Sequence, residues 1–121
     1  MNSYKQLDIY QISFDLAIKV HEVSMTLPNY ELFEEGSQVR RSSKRITASI
    51  VEGYGRKKYK ADFIKYLIYA HASCDETIVH LHFIQKTHTA ICDQIQEVIA
   101  LYDTLGAKIN RFIQYVETSW Q

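Results

Sequence analysis

Ile91 to Val116 reads ICDQIQEVIALYDTLGAKINRFIQYV, and the spacing of its apolar residues decides the fold. Ile91, Ile95, Val98, Tyr102, Leu105, Ile109, Phe112 and Val116 alternate steps of four and three without a fault. This is a heptad seam sustained over more than three repeats, as in a long helix packed in an antiparallel bundle or coiled coil. Gly106 lies off the seam, where a helix tolerates it at a cost of about 1 kcal/mol.

Three more stripes of helical period lie upstream. From Asp8 to Leu27, the residues Ile9, Ile12, Leu16, Val20, Val23 and Leu27 share a face, which Phe14, Ala17 and Ile18 widen. Asp8 is the expected N-cap, and Pro28 the expected stop, because it lacks an N–H and restricts the residue before it. The link Asn29 to Gly36, NYELFEEG, has room for one helical turn. Its glutamates suit the positive dipole end of the helix that follows and are placed to screen its cations. That second helix, Gln38 to about Tyr54 with Ser37 as cap, turns Val39, Ser43, Ile46, Ile50 and Gly53 inward. Its many small residues (Ser42, Ser43, Ala48, Ser49) let a neighbouring backbone come close. The third, from about Tyr59 to His88, carries Phe63, Leu67, Ala70, Cys74, Ile78, Leu81 and Ile84, and should be roughly 40 Å long.

Four stripes joined by short polar links predict an all-α protein, an antiparallel up-down four-helix bundle forming a single domain over 1–121. One proline and four glycines are too few for the many tight turns of an all-β fold. No apolar run approaches the roughly 20 residues needed to cross a bilayer. The first ten residues, MNSYKQLDIY, lack the apolar core of a signal peptide, so a cytoplasmic location with no membrane partner is expected. Cys74 and Cys92 are far apart and form no CxxC, which points to reduced structural thiols.

Charge is distributed unevenly. Arg40 to Lys60, RRSSKRITASIVEGYGRKKYK, holds eight of the fourteen basic residues against one acid, Glu52. The formal net charge of zero is therefore a cancellation between a basic segment and an acidic remainder. Arg40 and Lys44 are four apart, as are Arg41 and Arg45, so on a helix they form adjacent positive columns. One reading is a solvated face neutralised by acids of neighbouring helices. The other is an anion-binding face made of Arg40, Arg41, Lys44, Arg45, Arg56, Lys57 and Lys58, with phosphate as the anion. Tyr54 and Tyr59 interleave with these cations, an arrangement able to stack on bases.

Other constellations are weaker. His80 and His82 point in different directions on a helix, and no HExxH or paired ExxH set is present, so the five histidines read as surface or interface residues. Cys74 beside Asp75 and Glu76 has its pKa raised and makes a poor nucleophile. Glu52 to Gly55, EGYG, lacks the spacing of a phosphate-binding loop and follows a helix. Glu52 instead has an i,i+4 partner in Arg56. No catalytic set assembles, so neither an enzyme nor a cofactor or metal is expected.

With Gln38 to Arg56, QVRRSSKRITASIVEGYGR, in view, the sequence resembles the four-helix-bundle family encoded in intervening sequences of 23S ribosomal RNA genes. Its signature is similar to Q-I/L-R-R-A-x-x-S-I-P-x-N-I-A-E-G-x-G-R, matched here at Gln38, Arg40, Arg41, Ile46, Ile50, Glu52, Gly53, Gly55 and Arg56. DIYQISFDLAIKVHEVSMTLP and DFIKYLIYAHASCDE also look like that family. Arg45 departs from the usual serine, Thr47 from the proline, Ser49 from the asparagine and Val51 from the alanine. Losing the proline should straighten the second helix, and losing the asparagine removes whatever its amide did. The resemblance implies a ring of five subunits. It also implies kinship with the accessory protein of diversity-generating retroelements, which partners a reverse transcriptase and binds nucleic acid. Two functions follow as expectations: a nucleic-acid-binding oligomer, for structured RNA or an RNA–DNA hybrid, or a structural protein–protein adaptor with no nucleic-acid ligand.

Overall fold

Each apolar stripe becomes one long helix in the computed structural model, which describes residues 3–121. The elements are α1 (Asp8–Ser24), the single-turn α2 (Asn29–Leu32), α3 (Glu35–Gly55), α4 (Lys60–Thr87) and α5 (Cys92–Ser119). Short 3-10 turns at Tyr4–Gln6 and Thr89–Ile91 precede α1 and α5. No strand occurs among the described residues. Helix α1 packs on α3 and α5, and α4 packs on both of those, so four long helices run up and down around one core. The architecture is the bundle that the spacing predicts.

The core is the predicted seam with local changes. Ile46, Ile50, Phe63, Leu67, Ile95, Tyr102, Leu105 and Ile109 are fully buried. Burying an aliphatic or aromatic side chain contributes about 1.5–3 kcal/mol, so these stripes, rather than helix propensity, hold the helices in place. On α4 the buried position is Thr77, while Ile78 is only half-buried. Thr77 faces Ser42 of α3, and two small polar side chains let the helices approach where an isoleucine would hold them apart. Thr77 Oγ1 lies 2.8 Å from both Ser42 Oγ and the Ser73 carbonyl. Gly53 serves the same contact further along. A Cβ there would sit 3.1 Å from Tyr66 Cβ and 3.3 Å from the Phe63 carbonyl.

Helix ends differ most from the sequence-based expectation. Asp8 is the first residue of α1, not its cap, and its carboxylate meets Lys108 of α5 at 3.6 Å. Helix α1 stops at Ser24, and Pro28 opens α2 instead, its carbonyl accepting from the Glu31 and Leu32 amides. This suits proline, whose missing N–H costs nothing at a helix start. Helix α3 begins at Glu35, two residues before the expected cap Ser37. The Glu31 carboxylate accepts from the Glu35 amide at 3.2 Å and does the capping from the preceding turn. Gly36 permits that corner, since a Cβ there would lie 2.8 Å from the Glu31 carbonyl oxygen. With Thr47 in place of proline, α3 is continuous to Gly55.

Candidate functional site

Helix α3 and the turn into α4 carry all seven predicted site residues, but the structure divides them. Arg41 and Arg56 are fifteen residues apart, about 22 Å along a helix axis. The first group, near the start of α3, is partly consumed by the fold. Arg40 is half-buried, donating from Nη1 to Ser24 Oγ at 2.9 Å and from Nη2 to the Leu32 carbonyl at 2.7 Å. It ties α3 to α1 and α2 and does not stand on the outer surface with the others. Lys44 Nζ lies 3.2 Å from His21 Nδ1 of α1. Arg45 pairs with Glu76 of α4 at 3.4 Å, an exposed contact of the neutralising kind. Arg41 is exposed and makes no ion pair or hydrogen bond among the described residues.

The second group crowds the α3–α4 turn. Arg56 meets Glu52 at 3.3 Å, the expected i,i+4 pair, and Asp62 at 3.7 Å. Its guanidinium also lies 4.9 Å from the Tyr66 ring centre. Lys57 stands 4.2 Å over Tyr54, Lys58 5.8 Å over Tyr59, and Lys65 5.2 Å over Tyr66. Cations here favour the negative dipole end of α3, so part of this clustering stabilises the helix itself. Exposed ion pairs contribute only about 0–1 kcal/mol, so Arg45 and Arg56 can exchange their carboxylates for a phosphate at little cost.

Glu31 and Glu35 do not screen the basic columns. Glu31 Oε2 binds His88 Nε2 at 2.7 Å, and Glu35 Oε2 binds His80 Nδ1 at 2.7 Å. The other His80 nitrogen meets Glu76 at 3.2 Å. His80 and His88 are therefore mostly buried helix–helix ties, with side chains 16% and 13% exposed, rather than surface histidines. Their partners are 45 and 57 residues away in sequence, beyond any local signal. The hydrogen bond from His88 holds the Glu31 carboxyl below its ordinary pKa, outweighing burial, with help from the Glu35 amide and the His88 charge. Burial first, then Asp75 and Asp103, pushes the Cys74 thiol up to about 12. No group of three or more potential metal ligands converges among the described residues.

A second surface feature lies between α1 and α3. Tyr4, Tyr10, Phe14, Ile18 and Val51, together with Lys44 and Glu52, line a mainly apolar groove of about 590 Å³. Phe14 and Ile18, which widen the α1 stripe beyond what one seam can bury, are about half exposed there. No helix among the described residues is long and apolar enough to cross a membrane.

Fold and surface together define an up-and-down four-helix bundle with an unevenly basic outer face. Residues 5–111 match the 23S rRNA-intervening sequence protein family, and the chain belongs to that family. A crystal structure of a protein of unknown function from the S23 ribosomal protein family of Bacteroides thetaiotaomicron shares the fold, with a TM-score of 0.78. The two are 20% identical, and the similarity covers 88% of this chain and 95% of that one. No curated protein matches the sequence.

Proposed function

We propose that the protein is a non-enzymatic, oligomeric, cytoplasmic nucleic-acid-binding protein that holds RNA, or an RNA–DNA hybrid, by its backbone. The observation that carries this reading is the α3–α4 turn, where Arg56, Lys57 and Lys58 follow one another, each beside a tyrosine ring. Arg41 adds an unpaired cation further along α3, with Lys44 and Arg45 beside it. Contacts of this kind position a ligand without reading its bases, so sequence preference should be low. Affinity should fall with salt at a log–log slope of about −0.7 per phosphate neutralised on single strands. Lys57→Gln with Lys58→Gln should weaken binding and flatten that slope, and Arg41→Gln with Arg45→Gln should do so less. Unchanged affinity and slope in both double variants, with helix content intact, would overturn the reading.

The apolar groove beside Phe14 and Ile18 favours a second role, protein–protein assembly. A monomer seldom leaves such a surface uncovered. Self-association, a pentamer by family resemblance, would repeat the basic turn in every subunit and let weak phosphate contacts add. A purely structural adaptor, with a reverse transcriptase or another protein as partner, would use the same surfaces without a nucleic-acid ligand. Loss of assembly in the Arg41/Arg45 double variant, with no nucleic acid bound by the parent, would support that alternative.

A further inference from the structure

The antiparallel topology gathers at one end of the bundle residues that lie far apart in sequence. The α3–α4 turn meets the last turns of α5 there. Trp120 Nε1 donates to the Lys57 carbonyl at 3.1 Å, and the Trp120 ring lies 5.2 Å from Phe63, which pins the two segments together. Tyr115 is the next ring, 6.2 Å from Trp120 and 49% exposed. It lines a surface recess of about 250 Å³ with Lys108 and Arg111. Lys108 is held by Asp8, whereas Arg111 is exposed and makes no ion pair among the described residues. On the other side of the turn, Tyr59 is 62% exposed beside Lys58. This end therefore carries two exposed rings, Tyr115 and Tyr59, near the cations Arg111, Lys57 and Lys58. The half-buried Trp120 is pinned between α5 and the turn, and Asp8, Glu52 and Asp62 are already engaged by Lys108 and Arg56. The opposite end is formed by the last turns of α1 and α4, by α2 and by the starts of α3 and α5. It mixes Glu22, Glu34, Asp93 and Glu97 with Arg40, Arg41 and Lys86, and among the described residues offers no comparable run of cations beside rings.

We infer that the bound nucleic acid is single-stranded, and that its bases stack on Tyr115 and Tyr59 while Arg111 extends the phosphate contacts of the turn onto α5. This rests on the nucleic-acid reading above and narrows it to unpaired RNA, setting aside the RNA–DNA hybrid. Phosphates alone would satisfy the cations equally in a duplex or a single strand. Accessible rings between cations reward only unpaired bases, each stacked base being worth roughly 5- to 150-fold in affinity. A duplex keeps its base faces inside its own stack and gains nothing from the tyrosines.

The test uses the full chain, an oligouridylate and a blunt RNA duplex of equal length. Trp120 is the sole tryptophan, so its fluorescence reports on this end of the bundle alone. Oligouridylate should quench Trp120 and bind at least tenfold tighter than the duplex. Tyr115→Ala should weaken oligouridylate binding at least fivefold and leave duplex binding unchanged, with Tyr115→Phe restoring it. Arg111→Gln should flatten the salt slope by about 0.7. Because Tyr115 packs on Trp120, Tyr59→Ala provides a second variant if Tyr115→Ala disturbs the fold. Equal affinity for both probes, with Trp120 unquenched and the tyrosine variants neutral, overturns this inference but leaves the nucleic-acid reading standing. Failure to bind either probe at low salt overturns both.

Discussion

Removing one methyl-sized hydroxyl, Thr77→Val, should cost more than removing both hydroxyls of the pair it belongs to. Thr77 and Ser42 are fully buried, and Thr77 Oγ1 lies 2.8 Å from Ser42 Oγ and from the Ser73 carbonyl. Valine keeps the shape but strands Ser42, whose other neighbour is the Val39 carbonyl at 3.4 Å, beyond good hydrogen-bond length. A lost bond and an ill-satisfied buried hydroxyl together cost about 1–3 kcal/mol. For a chain of this size that lowers Tm by about 4 °C per kcal/mol. Ser42→Ala behaves differently, because Thr77 keeps the Ser73 carbonyl and alanine gains about 0.5 kcal/mol of helix propensity. It should be close to neutral. The double variant leaves no orphan hydroxyl and should recover more than half of what Thr77→Val loses. Urea unfolding followed by far-ultraviolet circular dichroism, with m unchanged across the set, gives the cycle. Additivity within about 0.5 kcal/mol, or a neutral Thr77→Val, would refute the claim that this hydroxyl pair is coupled across α3 and α4.

Three further outcomes are expected. Glu31 has a folded pKa below its unfolded value, so its contribution is complete above the ordinary carboxyl range, about 4.3, and fades as pH falls through the folded value. Glu31→Gln should therefore flatten the acid limb of a Tm–pH profile, and an unaltered limb would place the acid sensitivity elsewhere. Cys74, with its thiol raised to about 12, should resist a thiol reagent in the native protein while the half-buried Cys92 reacts, and unfolding should release the second equivalent. Rapid modification of both in the folded state would contradict the burial argument. Phe14→Glu with Ile18→Glu should shift the light-scattering mass towards the 14.2 kDa of one chain, and an assembled mass that persists would clear the groove of a role between subunits.

Periodicity made the fold legible. The steps of four and three in α5, and the looser stripes in α1, α3 and α4, named most of the buried residues, because burial on one face imposes a period whatever the partner. It failed where packing depends on the facing helix. Ile78 is the more apolar candidate, yet Thr77 is buried because Ser42 across from it leaves room only for a small group. Helix ends were blurred for a similar reason: Ser37 looked like a cap, but a carboxylate from the preceding turn reaches the Glu35 amide first.

The basic segment was equally plain in the sequence, since like charges four apart on a helix must share a face. Composition and spacing alone thus determined the helices, their inward faces and the existence of a cationic stretch. Tertiary structure decided what each charge meets. It assigned Arg40 to Ser24 and Leu32, gave Glu31 and Glu35 to His88 and His80, and separated Arg41 from the Arg56–Lys58 turn. It also brought Trp120 to that turn, with Tyr115 packed beside it. Hydrophobic burial is non-directional and leaves a periodic trace in one strand of sequence, whereas an ion pair or a hydrogen bond needs a particular partner within a few ångströms. Only the packing of the helices and their connections against one another supplies that partner.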